Sequence, residues 1–312
     1  MLINLVPEFL AVLDSSDPLV AYRRYFDAHR RVLEPYWHNY VLDPDSHHFT
    51  DVARTVILAD RSDLRAMLDR SDAVSLARDT IRRARALLEP DIEFDVVLMV
   101  GVGAANAGEL VAGGRGIAFA CLEHFTGVVN PATTSLGLDP ELLPLWLAHE
   151  IAHAVRYTAP DSRAEMRALV DAAGGTYSYW ETGRRATLRE LLVNEGLAVE
   201  VARAMSPGHA EWEYYGYSRK QYARVREMEA VLTRLVTPHL DEAGLGLRLR
   251  YLSDGTSVEA RTVEQHILPE RAGYYLGSRL VERAIAERGF PWAVRADARE
   301  IVAIARDAAA TA

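Results

Sequence analysis

Cysteine is almost absent from this 312-residue chain. Cys121 is the only one, so neither an intrachain disulfide nor a cysteine-rich metal centre can form, and any metal site must use His, Asp or Glu. Lysine is equally scarce: Lys220 is the single example among 35 basic residues, and the arginine bias identifies no substrate. An excess of positive charge is also missing. The formal net charge of −9 and pI near 5.6 argue against a general affinity for nucleic acid or anionic lipid, and neither partner is expected. No stretch approaches the roughly 18 uninterrupted apolar residues of a membrane span. The apolar start of the chain has no basic residues ahead of it and is broken by Glu8 and Asp14, so no secretory signal is read and the cytoplasm is the expected compartment.

With 49% hydrophobic and 25% charged residues, the chain can bury one large core or two lobes. Residues 1–50 read as helical scaffold punctuated by Pro18, Pro35 and Pro44, with Tyr22, Tyr25, Phe26, Tyr36 and Trp37 as buried aromatics. Thr55–Ala59 reads as a short strand, then 64–88 as one amphipathic helix stopped by Pro90. Phe94–Val100 and Gly116–Leu122 are stronger strands. Gly101-Val-Gly103 follows a strand, but Asn106 breaks the dinucleotide pattern and a plain turn is expected. The Asp139-Pro140 start predicts a helix over 141–157. Capping boxes at Ser162–Glu165 and Thr187–Glu190 predict two more, the first closed by Gly174-Gly175 and the second reaching about Met205. Helices are also expected over 218–236 and 273–288. The pattern is strand-bearing first and helical afterwards.

His149-Glu150-Ile-Ala-His153 falls inside the predicted helix 141–157. At i and i+4 two imidazoles project from one face about a turn apart and can share one ion, while Glu150 stands alongside as a general base. A catalytic zinc site needs a third protein ligand and an open position. The metzincin continuation is excluded, because Arg156 and Ala159 stand where Gly and His would be required. On the helix opened by Thr187, the residues Leu188, Leu191, Leu192, Ala198, Val199 and Ala202 form an apolar stripe with Glu195 near its centre, whereas Glu190 and Glu200 point away. A carboxylate on a buried face needs a partner, and zinc supplies one; an arginine in the core is the alternative.

Together, His149–His153, Glu195-Gly-Leu-Ala198 and Gly273-Tyr-Tyr-Leu-Gly277 resemble the HExxH…EGLA…GYxxG pattern of a family of predicted zinc-dependent proteases within the gluzincins. The resemblance spans 149–277. It implies an α+β, zincin-like fold: an N-terminal lobe over 1–175 with a helical start, a small sheet and the HExxH helix, and a helical C-terminal lobe over 176–312. It also implies His149, His153 and Glu195 as zinc ligands, Glu150 as base and Tyr274 as an oxyanion donor, with Tyr275 and His266 as rivals for the last role. The substrate is expected to be a peptide or protein, paired as an extended strand with the edge at 116–122. A zinc-bearing regulatory or peptide-binding module with little turnover is the competing expectation.

Overall fold

Two local signals decide the sheet. Asp95–Met99 is an uninterrupted buried run, as a strand covered on both faces requires. Ala107–Ala112 and Arg115–Cys121 are joined by Gly113-Gly114, both at positive φ, in a two-residue turn whose twist suits a hairpin. The computed structural model describes residues 1–89 and 93–311, with 307–311 described by backbone alone. It begins with β1 (Leu2–Asn4), α1 (Val6–Leu13), α2 (Pro18–Ala28), α3 (Arg30–Tyr40), α4 (Phe49–Leu58), α5 (Ser62–Arg70) and α6 (Ala73–Leu88). Next come β2 (Asp95–Met99), β3 (Ala107–Ala112), β4 (Arg115–Cys121), β5 (Val129–Asn130) and β6 (Ser135–Leu136). Helices α7 (Leu143–Thr158), α8 (Glu165–Ala172), α9 (Leu188–Met205), α10 (Arg219–Glu227), α11 (Glu229–Val236), α12 (Leu245–Leu252) and α13 (Val258–Arg261) follow. The hairpin β7 (Thr262–Val263) and β8 (His266–Ile267) precedes α14 (Ala272–Arg288), α15 (Phe290–Ala293) and α16 (Ala298–Thr311).

The main sheet has the order β1-β2-β4-β3. β1 and β4 flank β2 in parallel, and β3 runs antiparallel to β4 as an outer edge. α7 lies against β4 and β3, α9 packs on α7, and α14 packs on α9, so the chain grades from sheet to stacked helices. This is an α+β arrangement. No helix among the described residues is long and apolar enough to cross a membrane.

Several expectations need correction. The expected strand Thr55–Ala59 is instead the end of α4, which runs to Leu58 with Ala59 as its C-cap: Phe49, Ala53, Val56 and Ile57 are buried at helical spacing, and that wider period overrides the β-branched run. The helix expected over 64–88 is two, divided at Ser71-Asp72, where the Asp72 side chain accepts from the Ser75 amide at 2.9 Å and caps α6. Pro90 lies outside the described residues. Pro35, expected as punctuation, sits inside α3, and the helix expected over 218–236 breaks at Met228. Ser162–Glu165 forms no capping box, because Glu165 accepts instead from the backbone amide and hydroxyl of Thr187. The strand at 116–122 is no edge: β4 lies between β2 and β3. The five aromatics expected to be buried near the N-terminus are buried.

Candidate metal centre

Helix α7 is enclosed along almost its whole length, with every residue except Pro144 buried. A short 3-10 turn over Pro140–Leu142 leads into it, capped by Asp139, whose side chain accepts from the Glu141 amide at 2.9 Å. On α9 the Thr187 hydroxyl oxygen accepts from the Glu190 amide at 3.3 Å, but the return half of the expected capping box is missing, because the Thr187 amide donates to Glu165 and the Glu190 side chain binds Arg156. The two helices pack together. This brings His149 Nε2 to 3.3 Å and His153 Nε2 to 3.5 Å from Glu195 Oε2. Tetrahedral zinc with bonds of about 2.0–2.2 Å needs donor atoms about 3.3–3.5 Å apart. The two separations from Glu195 fit that ion, and all three donor atoms lie within 4.8 Å of one another. Among the described residues, His149, His153 and Glu195 form the one group of three such donors close enough to hold a metal.

Charge around the cluster also fits a cation. Burial lowers the His149 imidazole to about 4. For His153 burial acts in the same direction, but the negative charge of Glu195, with Glu109 and Glu150 behind it, prevails and raises the group to about 10. Glu150 is pushed well above the ordinary carboxylate range by burial, with Glu109 and Glu195 adding to the effect against His153. Glu195 is held low by its two histidines despite burial. Three glutamates thus stand around two imidazoles, and a divalent cation could be held among them.

His153 is oriented by a buried chain. Its Nδ1 donates to Asn194 Oδ1 at 3.0 Å, leaving the Nε2 lone pair for a metal. Asn194 Nδ2 donates to the Tyr157 hydroxyl at 2.9 Å, and Tyr157 donates to Glu109 Oε1 at 3.3 Å. Tyr40 donates to the other oxygen of Glu109 at 3.3 Å. One network therefore joins α7, α9, α3 and β3. His149 Nδ1 has no partner among the described residues, and its ring is held instead by a near-parallel stack on Tyr274, at 5.9 Å and 13°.

Tyr274 reaches this position because α9 and α14 touch at glycine. A Cβ on Gly196 would strike the Gly277 carbonyl, and one on Gly277 would strike the Leu192 carbonyl, so each helix needs a bare backbone at the crossing. Gly196 follows the ligand Glu195, and Gly277 lies one turn after Tyr274. Tyr275 turns the other way, packing on Tyr215 and Tyr222 and donating to Glu229 Oε2 at 2.7 Å. His266 is on the β7–β8 hairpin and is not part of the cleft lining. Trp212, Tyr214, Tyr215, Tyr217 and Tyr222 likewise pack away from the metal cluster.

The cluster opens on a cleft of about 400 Å³ whose lining includes His149, Glu150, His153, Glu195 and Tyr274 together with residues 104–109. Cys121 N donates to Asn106 O, so by strand alternation the peptide groups of Ala107, Glu109 and Val111 point away from β4. Val111 O accepts from the Tyr177 amide and Glu109 O from the Tyr40 hydroxyl. The edge is thus covered toward Val111, while Ala107 faces the cleft. Sequence reasoning missed Glu109, Asn194, Tyr157 and Arg271, another cleft residue. The Gly113-Gly114 turn could have revealed β3, and with it Glu109.

A family described as "Predicted Zn-dependent protease (DUF2268)" matches residues 177–303. The match takes in Glu195 and Gly273–Gly277 and begins after His153. No curated protein and no solved structure matches the chain. The similarity is therefore to predicted zinc proteases, over α9 to α16.

Proposed function

We propose that this chain is a zinc-dependent peptidase of the gluzincin type, with a zincin-like fold in which an N-terminal lobe (1–175) and a helical C-terminal lobe (176–312) face each other across the cleft. The observation that carries the reading is the convergence of His149 and His153 on one oxygen of Glu195 at tetrahedral ligand spacing. These three residues would hold zinc, which when bound acidifies water and polarises a scissile carbonyl. Glu150 takes the proton of the attacking water and passes it to the leaving amine nitrogen. Its burial beside other carboxylates suits a strong proton acceptor. Tyr274 donates its hydroxyl proton in a hydrogen bond to the carbonyl oxygen as negative charge develops there. An extended peptide pairs with β3 near Ala107, rather than with β4.

The test is zinc content and peptide cleavage measured on the same preparations. Wild type is expected to hold about one zinc per chain and to cleave unstructured polypeptide. Glu150→Gln should keep the zinc and lose about 10²–10⁴-fold in turnover. A wild type that binds zinc and peptide without cleaving would leave a zinc-bearing binding module; comparable turnover in the two proteins would remove Glu150 as the base.

A further inference from the structure

The cleft contains a positive charge that the hydrolytic machinery does not use. Arg271, half-buried in the lining, is the N-cap residue of α14 and adopts a left-handed conformation at φ 55°, unusual for a residue with a long side chain. Its guanidinium lies 4.2 Å from the centre of the Tyr274 ring and 5.9 Å from that of Trp146. Three other arginines of the fold meet an acid, whereas the buried Arg61 reaches only the Val56 carbonyl. Arg156 grips Glu190, Arg295 reaches Asp161 and Arg115 grips Asp95. Arg248, the other cleft arginine, donates to the Tyr179 carbonyl and the Tyr177 hydroxyl. Among the described residues no acid forms an ion pair with the Arg271 guanidinium: Tyr274 is its side-chain partner, and Asp254, also in the cleft lining, acts on it only at longer range. The planar fork of donors matches a carboxylate.

Position narrows the role. Tyr274 meets both the His149 imidazole and the Arg271 guanidinium, and Trp146 also lies near both. A group bound at Arg271 would therefore lie beside Tyr274 in the same cleft, within a few residues of chain from a peptide bond held at the cluster. The α14 N-terminus, which no side chain caps, adds its partial positive charge on the same side. We propose that Arg271 is a specificity-determining residue that binds a carboxylate of the substrate, so that the cleft selects peptides with an acidic group near the bond to be cleaved. This rests on the peptidase reading for the nature of the substrate, and not for the binding of the carboxylate itself.

The source of the carboxylate, a free C-terminus or an acidic side chain, is separable. The probes are acetylated Ala/Leu/Phe hexapeptides with either a free or an amidated C-terminus, and amidated versions with Glu or Gln at each interior position. Binding is measured by calorimetry on zinc-loaded Glu150→Gln protein, and cleavage on wild type. The expected result is that one pair of probes differs by about ten- to a hundred-fold in favour of the carboxylate. A preference for the free C-terminus marks a carboxypeptidase-like site, and a preference for Glu at one position marks an acidic subsite. In Arg271→Gln the ratio should fall to near one, and in Arg271→Lys part of it should return. An arginine that only supports Tyr274 would weaken acid and amide probes equally and leave the ratio intact, which would overturn the inference. Equal binding of all acid and amide pairs by the protein with Arg271 would also overturn it, whatever the cleavage data say. Arg271-dependent selection without cleavage by wild type would uphold it and remove the peptidase reading instead.

Discussion

Helices α7 and α9 join two buried charge clusters that have opposite designs. One turn beyond His153, Arg156 donates from Nε to Glu190 Oε1 at 3.0 Å and from Nη2 to Oε2 at 2.8 Å, while Nη1 reaches the carbonyls of Val294 and Ala296. Charge is matched one to one and the pair is closed to solvent. The other cluster gathers two imidazoles around Glu195, with Glu150 nearby, and opens on the cleft. Its negative charge has no fixed cation. The two Glu residues lie five apart on one helix, and what separates their roles is the donor each meets: a guanidinium completes a structural pair, whereas two imidazole lone pairs leave a place for a metal ion.

The comparison breaks most visibly by deleting one carboxylate at a time. Glu195→Ala and His149→Ala should abolish stoichiometric zinc binding, read by elemental analysis, and should also remove the stabilisation that excess zinc gives the wild type. That stabilisation amounts to about 2.7 kcal/mol when free zinc is a hundredfold above its Kd. Glu190→Ala should do the reverse. Zinc stoichiometry stays near one, but unfolding free energy drops by about 3–5 kcal/mol because a buried guanidinium is left unpaired. The double change Arg156→Met with Glu190→Leu should recover most of that loss. If Glu190→Ala lost zinc while remaining folded, the division between the two clusters would be wrong.

A smaller effect sharpens the open cluster. Tyr274→Phe removes only a hydroxyl and keeps the ring stacked on His149. It should lower kcat and kcat/KM together by about ten- to a thousand-fold at constant zinc content. Tyr275→Phe loses a hydrogen bond to Glu229 on the far side of α14 and should leave the kinetics near wild type. Equal responses in steady-state assays would take Tyr274 out of the mechanism.

What could be read from sequence was the part written in local spacing. His149, Glu150 and His153 share one helix turn, the capping Thr187 starts α9, and Glu195 sits in its apolar stripe. The structure brings His149, His153 and Glu195 together and lines the same cleft with Tyr274. Glu190 was misjudged for a physical reason. It lies about 140° around the helix from Glu195, a direction that is outward only if the helix has one buried face. α9 is covered by α7 on one side and α14 on another, so Glu190 is fully buried where the periodic pattern puts it in solvent. Glu109, Tyr157 and Arg271 were invisible because their meaning depends on contacts made across dozens of residues. Asn194 was hidden differently, beside the most conspicuous glutamate in the chain.

Asn194 therefore gives the finest test of how the open cluster is built. Its amide sits between the metal-side imidazole and the hydroxyl of Tyr157, and behind Tyr157 lies Glu109 on the edge strand. Accepting from His153 Nδ1 fixes both the tautomer and the plane of the ring, so that Nε2 rather than Nδ1 faces Glu195. Asn194→Ala leaves all three donors in place and removes only this orientation. Zinc should still bind one per chain, with affinity lower by about ten- to a hundred-fold, measured in competition with a chromophoric chelator. The Tyr157 hydroxyl would also lose a donor, so Tyr157→Phe serves as the control: it breaks the chain one step further out and should weaken zinc less than Asn194→Ala does. Equal losses from both variants would mean that the network acts by packing the helices rather than by aiming the imidazole. An unchanged zinc affinity in Asn194→Ala would mean that packing around α7 orients His153, as it does for His149, whose ring lies on Tyr274 and whose Nδ1 has no partner among the described residues.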